Sequence, residues 1–289
     1  MTPWRILLDG PQSGARNMAV DAAVLRAVEA GEAPPTLRLY SWKPWCVSLG
    51  SHQNPARELE ASALKARGWD VVPRPTGGRA VLHTDELTYS ILARRDTAGW
   101  CASLALSYER IGEAWAAALQ DFGLDMVRGS PLAPERVQGL GNLPAAPCFA
   151  SSAKSELAFG GRKVVGSAQR RTREAFVQHG SIPLSPDHER LVEVLPLDEA
   201  AKAAYLSTLR AHAISLGEIT AVPGPAARAA WERGLSARLL AALGIEGEEG
   251  RLTESEEAFA HGREAALRAE QERFFGGRGE RSEMGVAGG

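Results

Sequence analysis

The chain has 289 residues, 44% apolar and 24% charged, a normal globular mix that can bury a full core without disulfide or metal staples. Its 33 Lys and Arg against 35 Asp and Glu leave a net charge of −2, which removes the bulk electrostatic argument for a nucleic-acid binder. No stretch approaches the ~18–20 apolar residues of a membrane span. The start, MTPWRILLDG, lacks the charged segment and long apolar core of a signal peptide. Cys46, Cys101 and Cys148 are odd in number and show no CxxC spacing, so reduced thiols in a cytoplasm are expected. The histidines (His52, His83, His179, His188, His212, His261) form no HxxxH or HExxH pattern, and a zinc site has no support.

In chain order, residues 17–30 read as a helix with Asn17 as its cap and Val20, Val24, Ala27 and Val28 on one face. LRLYSW (37–42) alternates like a half-buried strand, and CVSLG (46–50) is a second short one. Asn54-Pro55 opens a helix running to about Arg67 before Gly68. DVV (70–72), RAVLH (79–83) and LTYSILA (87–93) read as strands. Residues 103–122 form the clearest helix, with Tyr108, Ile111, Trp115, Ala118, Leu119 and Phe122 on one face and Gly123 as a stop. The Gly- and Pro-rich segment 129–147 reads as a long, mobile loop. SELAF (155–159) and RKVVGSA (162–168) make a hairpin across Gly160-Gly161, and FVQHGSIPL (176–184) is a further strand. Helices are expected at 186–195, 198–211, 224–243 and 253–274, the last opened by the capping box Thr253-x-x-Glu256, and the tail is expected to be disordered. Strands fill the middle and helices the end, with few β-α-β alternations, so the fold class is α+β. No 20–50-residue internal repeat is present.

Four segments could carry chemistry. In Arg74-Pro75-Thr76-Gly77-Gly78-Arg79 through His83, the glycines let backbone N–H groups approach an anion or a polarised carbonyl, and Arg74 and Arg79 could add charge. By itself the segment reads better as a glycine turn between two strands with solvated arginines, because Thr-Gly-Gly recurs by chance. It is neither a P-loop nor a dinucleotide-binding turn. Cys148 ends the Gly/Pro-rich loop, and the hairpin can bring Lys163 back toward it, a cation that would favour the thiolate; the plainer reading is a small buried hydrophobe. Cys101, at a helix start, is a weaker rival, and Cys46, in an apolar strand, takes the buried reading. Gly166, Ser167 and Ala168 leave room for a ligand chain or mark an edge-strand bulge. Gln178-His179-Gly180 could supply a Cys–His pair or only a hydrogen-bonded strand histidine.

Taken together and in order, RPTGGRAVLHTDELTYS, PCF, SEL, GGRKVVGSAQRR and QHGSIPL resemble the lipoate-protein ligase/octanoyltransferase family, whose catalytic domain shares its fold with biotin-protein ligases. The resemblance runs from near Trp4, through NMAVDAAVL and RLYSWKPWCVSLG, to about Leu216, and more loosely through the helical end. It is most similar to the octanoyltransferase branch, which moves octanoyl from octanoyl-acyl-carrier-protein to a lysine of a lipoyl domain such as the glycine-cleavage H protein. The fold it implies has central mixed β-sheets flanked by helices. Residues 1–216 would form the catalytic domain, 217–275 a helical C-terminal extension and 276–289 a disordered tail.

The resemblance assigns roles residue by residue. Cys148 matches the acyl-thioester nucleophile, and Lys163 the lysine that favours its thiolate and contacts the acyl carbonyl. Arg74, Thr76, Gly77, Gly78, Arg79 and His83 match the acyl-pocket and carbonyl-binding motif, with Gly166, Ser167, Ala168, Gln178, His179 and Gly180 on facing strands. Pro73 departs from the pattern, since the family commonly has a second arginine there. ATP-dependent ligases typically carry a third glycine after the Gly-Gly pair and an aspartate right after the histidine, followed by Gly-Asn; here stand Arg79 and Thr84-Asp85-Glu86-Leu87. A thioester donor is already activated, so a cofactor-free ping-pong transferase, working as a monomer without metal or nucleotide, is the expectation. The alternatives are an ATP-dependent lipoate-protein ligase, an octanoyl amidotransferase between lipoyl domains, a non-catalytic carrier-binding module and a Cys–His hydrolase.

Overall fold

The chain opens as strand β1 (Trp4–Gln12), helix α1 (Gly14–Ala30) and strand β2 (Thr36–Trp42), with β1 and β2 parallel, so one β-α-β unit stands at the start of the fold. The computed structural model describes residues 3–97, 103–120, 127–128 and 157–276. β1 and its apolar run Trp4, Ile6 and Leu7 were not singled out in the sequence, where the charges at Arg5 and Asp9 obscure the pattern. α1 starts earlier than expected. Ser13, not Asn17, caps it, its hydroxyl accepting from the Arg16 N–H at 3.2 Å. Asn17 lies within the helix, wholly buried, and its amide donates to the Ser41 carbonyl at 2.9 Å.

A three-stranded sheet follows: β3 (Cys46–Leu49) lies between β4 (Asp70–Pro73), parallel to it, and β5 (Val81–His83), antiparallel. The single helix expected from Asn54 to Arg67 is two, α2 (Pro55–Glu58) and α3 (Ala61–Arg67). The break falls where Leu59 turns extended to bury its side chain, and the Glu60 N–H donates to the Val194 carbonyl at 2.9 Å instead of continuing the helix.

The larger sheet takes β6 (Glu86–Arg94), then, after helix α4 (Leu104–Gln120), β7 (Val127–Arg128), β8 (Leu157–Phe159), β9 (Arg162–Arg171), β10 (Ala175–Pro183) and finally β11 (Gly247–Glu249). Its strand order is β11-β1-β2-β6-β10-β9-β8-β7. The β8–β9 turn is made by Gly160 at φ 56° and Gly161 at φ 77°, both left-handed as a two-residue hairpin of this twist requires. β6 and β10 pair antiparallel along their whole length, from Ala175 opposite Arg94 to Pro183 opposite Glu86, and every residue of β10 is buried. One core packs Ile111, Trp115 and Leu119 of α4 on Leu87, Tyr89 and Ile91 of β6. A second packs Val20 and Val24 of α1 beneath Tyr40 and Val177. The mixed α+β class and flanking helices agree with the sequence reading.

At the C-terminal end the segment expected as a helix at 186–195 is 3-10, Pro186–Val194, with the Ser185 hydroxyl accepting from the Asp187 N–H. Helices α5 (Glu199–His212), α6 (Pro225–Leu243) and α7 (Glu254–Gly276) follow. The capping box of α7 is formed: the Thr253 N–H donates to Glu256 Oε2 at 2.8 Å and the Glu256 N–H to Thr253 Oγ1 at 3.2 Å. β11 pairs with β1, and α7 lies along α1. No helix among the described residues is long and apolar enough to cross a membrane. The expected loop 129–147, Cys101, Cys148 and the tail beyond Gly276 lie outside the described residues.

Glu256 also fixes this segment to the sheet. Its carboxylate accepts two charge-assisted bonds from Arg5, at 2.7 and 2.6 Å, with side-chain exposures of 1% and 8%. Removing one partner of a buried pair strands the other charge and commonly costs about 3–5 kcal/mol. Glu256→Ala is therefore expected to lower stability by that order in chemical denaturation, and a midpoint unchanged from wild type would show that the C-terminal segment is not held this way.

Candidate active site

The two sheets meet over a cleft that encloses about 500 Å³ of empty space, including its open mouth, a size suited to a small ligand. Met18 of α1, Tyr40 and Trp42 of β2 and Val81 of β5 give it apolar walls, and β9 and β10 contribute Gly166, Ser167, Ala168, His179, Gly180 and Ser181. The register sets Ala168 opposite His179, Ser167 opposite Gly180 and Gly166 opposite Ser181, so the smallest residues of two paired strands fall together. Gly180 has no room for a side chain: a Cβ would strike the Tyr89 ring and stand 2.8 Å from the Gly166 carbonyl.

Lys163, on β9, is 1% exposed and lines this cleft. An ammonium is costly to remove from water, and a fully buried lysine in a cleft wall marks a place where a positive charge has a use. Cys46 is 0% exposed, and burial, helped by Asp70 and Glu86, pushes its thiol well above the usual range. It is a packed core residue, as read from the sequence, and no candidate nucleophile.

The residues of the RPTGGR segment divide. Arg74 and His83 reach the cleft. Arg74 turns its donors onto the protein itself: Nη1 bonds the Ser48 carbonyl at 2.9 Å and its hydroxyl at 3.1 Å, and Nη2 bonds the Gly77 and Arg79 carbonyls at 2.9 and 2.6 Å. It braces the loop. Of the two glycines, Gly78 takes the left-handed conformation, at φ 97°. Thr76 is buried behind the wall, its hydroxyl 2.6 Å from His179 Nε2. Gly77, Gly78, Arg79 and Gln178 do not line the cleft. The alternation of β10 turns Gln178 to the opposite face, where it donates to the Tyr89 hydroxyl at 3.3 Å and accepts from Gln169 at 2.9 Å.

Five further cleft or near-cleft residues had not been singled out: Trp42, Ser48, Glu86, Thr88 and Ser181. They form one network. Glu86, 2% exposed, accepts from His83 Nδ1 at 2.7 Å and Thr88 Oγ1 at 2.5 Å through one oxygen and from Ser181 Oγ at 2.7 Å through the other. Trp42 Nε1 donates to Thr88 Oγ1 at 2.7 Å, and its ring stacks on His83 at 4.0 Å. Burial alone would raise the Glu86 carboxyl, but the neighbouring His83 and the three hydrogen bonds outweigh it and hold the group below the usual carboxylate range. The available sequence signal was the polar alternation Glu86, Thr88, Ser90 against Leu87, Tyr89, Ile91, which reads as a solvent face but is buried. No group of three or more His, Cys, Asp or Glu among the described residues is placed to hold a metal ion.

The whole architecture corresponds to that of the lipoate-protein ligases. An archaeal bipartite lipoate protein ligase from Thermoplasma acidophilum superposes with a TM-score of 0.75 at 22% identity, over 96% of this chain and 97% of that one. A lipoate-protein ligase A bound with ATP gives 0.73 at 22% identity, over 95% and 99%. Residues 13–230 match the lipoyl protein ligase A/B catalytic domain. The octanoyltransferase LipM of Kyrpidia tusciae is 41% identical over 257 residues, covering 89% of this chain and 93% of that protein, and that of Moorella thermoacetica is 40% identical over 217 residues, covering 75% and 78%. The chain belongs to the lipoyl protein ligase A/B catalytic domain family and is an acyltransferase.

His179 makes a testable statement about this site. Desolvation, reinforced by Arg74 and His83 against the opposing pull of Asp21, holds it down to about 4. The unfolded chain binds a proton below about 6.5 that the folded site refuses until about pH 4. Stability from this group is thus complete above about pH 6.5 and is lost as pH falls toward 4, by about 3 kcal/mol at ~1.4 kcal/mol per pH unit. His179→Asn is expected to flatten the pH dependence of the urea midpoint over that window; an unaltered slope would contradict the assignment.

Proposed function

We propose that the protein is an octanoyltransferase that takes octanoyl from octanoyl-acyl-carrier-protein, holds it as a thioester on Cys148 and delivers it to a lysine of a lipoyl domain, such as that of the glycine-cleavage H protein. The observation that carries this reading is the fully buried Lys163 in the cleft wall beside Gly166, Ser167 and Ala168, in a chain 41% identical over most of its length to an octanoyltransferase. The Cys148 thiolate attacks the donor thioester and the carrier thiol departs. The acceptor amine then attacks the enzyme thioester and the Cys148 thiolate is released. Lys163 favours the thiolate and faces the acyl carbonyl, where an ammonium stabilises the oxyanion of each tetrahedral intermediate. The acyl chain lies against Met18, Val81 and the small residues of β9 and β10. Arg74, Gly77, Gly78 and Arg79 shape the loop, while Thr76 with His179 and Gln178 with Tyr89 hold β10 from its two faces. The donor is already activated, so the reaction needs no nucleotide, and the cytoplasm is its proposed compartment.

Intact-mass spectrometry tests this directly. Enzyme mixed with octanoyl-acyl-carrier-protein without ATP is expected to gain one octanoyl mass, labile to hydroxylamine and absent in Cys148→Ala. An adduct that survives in Cys148→Ala and maps to Cys46 or Cys101, or a strict need for ATP and free lipoate, would overturn the reading. Lys163→Ala is expected to move the pH profile of Cys148 alkylation by iodoacetamide upward and to cut transfer ~10²–10³-fold, the usual effect of losing one oxyanion donor. Lys163→Arg should not restore full activity, because a planar fork does not replace a compact ammonium. Alkylation and transfer within a few-fold of wild type in Lys163→Ala would remove Lys163 from the mechanism.

A further inference from the structure

The proposed transfer leaves one proton without a destination. An acceptor lysine arrives as an ammonium, since its amine titrates near ~10.4. It must lose one proton before its nitrogen can attack and a second when the amide forms. As the N–C bond forms and the C–S bond breaks, the sulfur keeps the electron pair and can take the second proton. The first needs a base, and Lys163 cannot serve while it faces the carbonyl as an ammonium.

Two imidazoles line the cleft, and their surroundings differ. His179 has a threonine hydroxyl at 2.6 Å and its nearest carboxylate, Asp21, at 4.0 Å. Desolvation holds its pKa down to about 4, so its protonated form is disfavoured at neutral pH. His83 has Glu86 Oε1 in contact at 2.7 Å on Nδ1 and Ser48 Oγ at 2.8 Å on Nε2. An ionised carboxylate only accepts hydrogen bonds, so His83 Nδ1 is the donor to Glu86. In the neutral imidazole Nε2 is then the acceptor, and the Ser48 hydroxyl donates to it. Arg74 Nη1, donating to the same hydroxyl oxygen at 3.1 Å, turns the Ser48 proton toward the ring.

We infer that Ser48, His83 and Glu86 form the proton relay of the aminolysis step, carrying the first proton of the acceptor ammonium from the cleft into the protein. This rests on the octanoyltransferase reading above. The Ser48 hydroxyl takes the proton and passes its own to His83 Nε2, and the imidazolium that forms is bonded to the Glu86 carboxylate. His83 returns the proton to solvent once the amide product leaves. Ser48 and His83 both line the cleft, while Glu86 is a positioning residue that fixes the tautomer. The other charged or titratable groups around the relay are Cys46 on β3, opposite His83 in the register and raised in part by the Glu86 charge, Arg74 on the loop, Lys163 on β9, His179 on β10 and His188 in the 3-10 helix, whose ring also feels the Glu86 charge.

The experiment separates the two half-reactions. Octanoyl-enzyme is prepared, and its discharge is followed by mass spectrometry with apo lipoyl domain and with hydroxylamine, whose nitrogen is already unprotonated at neutral pH. In His83→Gln, discharge to the lipoyl domain at pH 7 is expected to fall ~100-fold or more beyond any loss in acylation, the scale of general-base assistance. The deficit should shrink as pH rises toward 10, where the acceptor lysine sheds its own proton, and hydroxylamine should discharge variant and wild type alike. Glu86→Gln keeps the size of the side chain and removes its charge, and should show the same pattern more weakly, so it decides the matter if His83→Gln does not fold. A deficit equal for both nucleophiles, one flat with pH, or no deficit would overturn the relay. Failure of the wild-type enzyme to form any acyl-enzyme would instead refute the function on which the relay rests.

Discussion

Arg38 is a guanidinium with no exposed surface, and the packing of α1 on the larger sheet depends on satisfying it. Nε bonds Asp9 Oδ2 at 2.6 Å, Nη1 bonds Asp21 Oδ1 at 2.8 Å and the Asn17 carbonyl at 3.0 Å, and Nη2 bonds Asn17 Oδ1 at 2.8 Å. Its charge lies 4.0 Å above the Tyr40 ring. Burial disfavours the charge, but Asp21 and Asp9 outweigh it and hold Arg38 above its ordinary range. Asp21 in turn accepts from Ser90 at 2.7 Å and Tyr40 at 3.1 Å. One cation thus joins β1, α1 and β2, and through Asp21 reaches β6. Such a network stabilises little over an apolar core of the same shape, yet any one partner removed leaves an uncompensated charge. Its arrangement is therefore tightly defined, and that definition reaches the cleft, because Asp21 is also the carboxylate nearest His179.

The smaller sheet is placed with equal economy of space. Gly50 follows β3, and a Cβ there would collide with the Gly78 carbonyl, so backbone passes backbone with nothing between. The Ser51 N–H donates to the Thr76 carbonyl at 3.0 Å, and Arg74 collects the carbonyls of Ser48, Gly77 and Arg79. A segment rich in glycine is in this way made rigid by one arginine. The result is that Thr76, on the loop of one sheet, meets His179, on a central strand of the other, at 2.6 Å.

Much of this was legible from local pattern. The Gly160-Gly161 hairpin, the capping box of α7 and the strands over 37–42, 46–50 and 87–93 were set by turn chemistry, capping and alternation, which act within a few residues. What was not legible depended on distant partners. Asn17 is a good cap in isolation, but a buried Arg38 21 positions away needs its carbonyl and amide oxygen. β11 is three residues, GEE, and forms because the edge of β1 is there to pair with it. Lys163, His83, His179 and the small residues of β9 line one cleft although they are up to 96 positions apart in the chain. Glu86 was passed over because alternation alone cannot distinguish a polar face turned to water from one turned to a buried cleft.

That buried polar face explains how one residue type can be set to two uses. His83 and His179 line one cleft from different sheets, but the β6 carboxylate Glu86 touches His83, whereas Asp21, bonded to Arg38 and Ser90, stands off from His179. The difference follows from β6 itself. Glu86, Thr88 and Ser90 project from one face at the spacing of a strand, so the carboxylate falls under the small sheet, where His83 lies, and the hydroxyl of Ser90 falls under α1, where it bonds Asp21. Groups of the same type separated in this way by their environments can serve opposite roles within one reaction. In this cleft the separation is written into the two-residue period of a single strand.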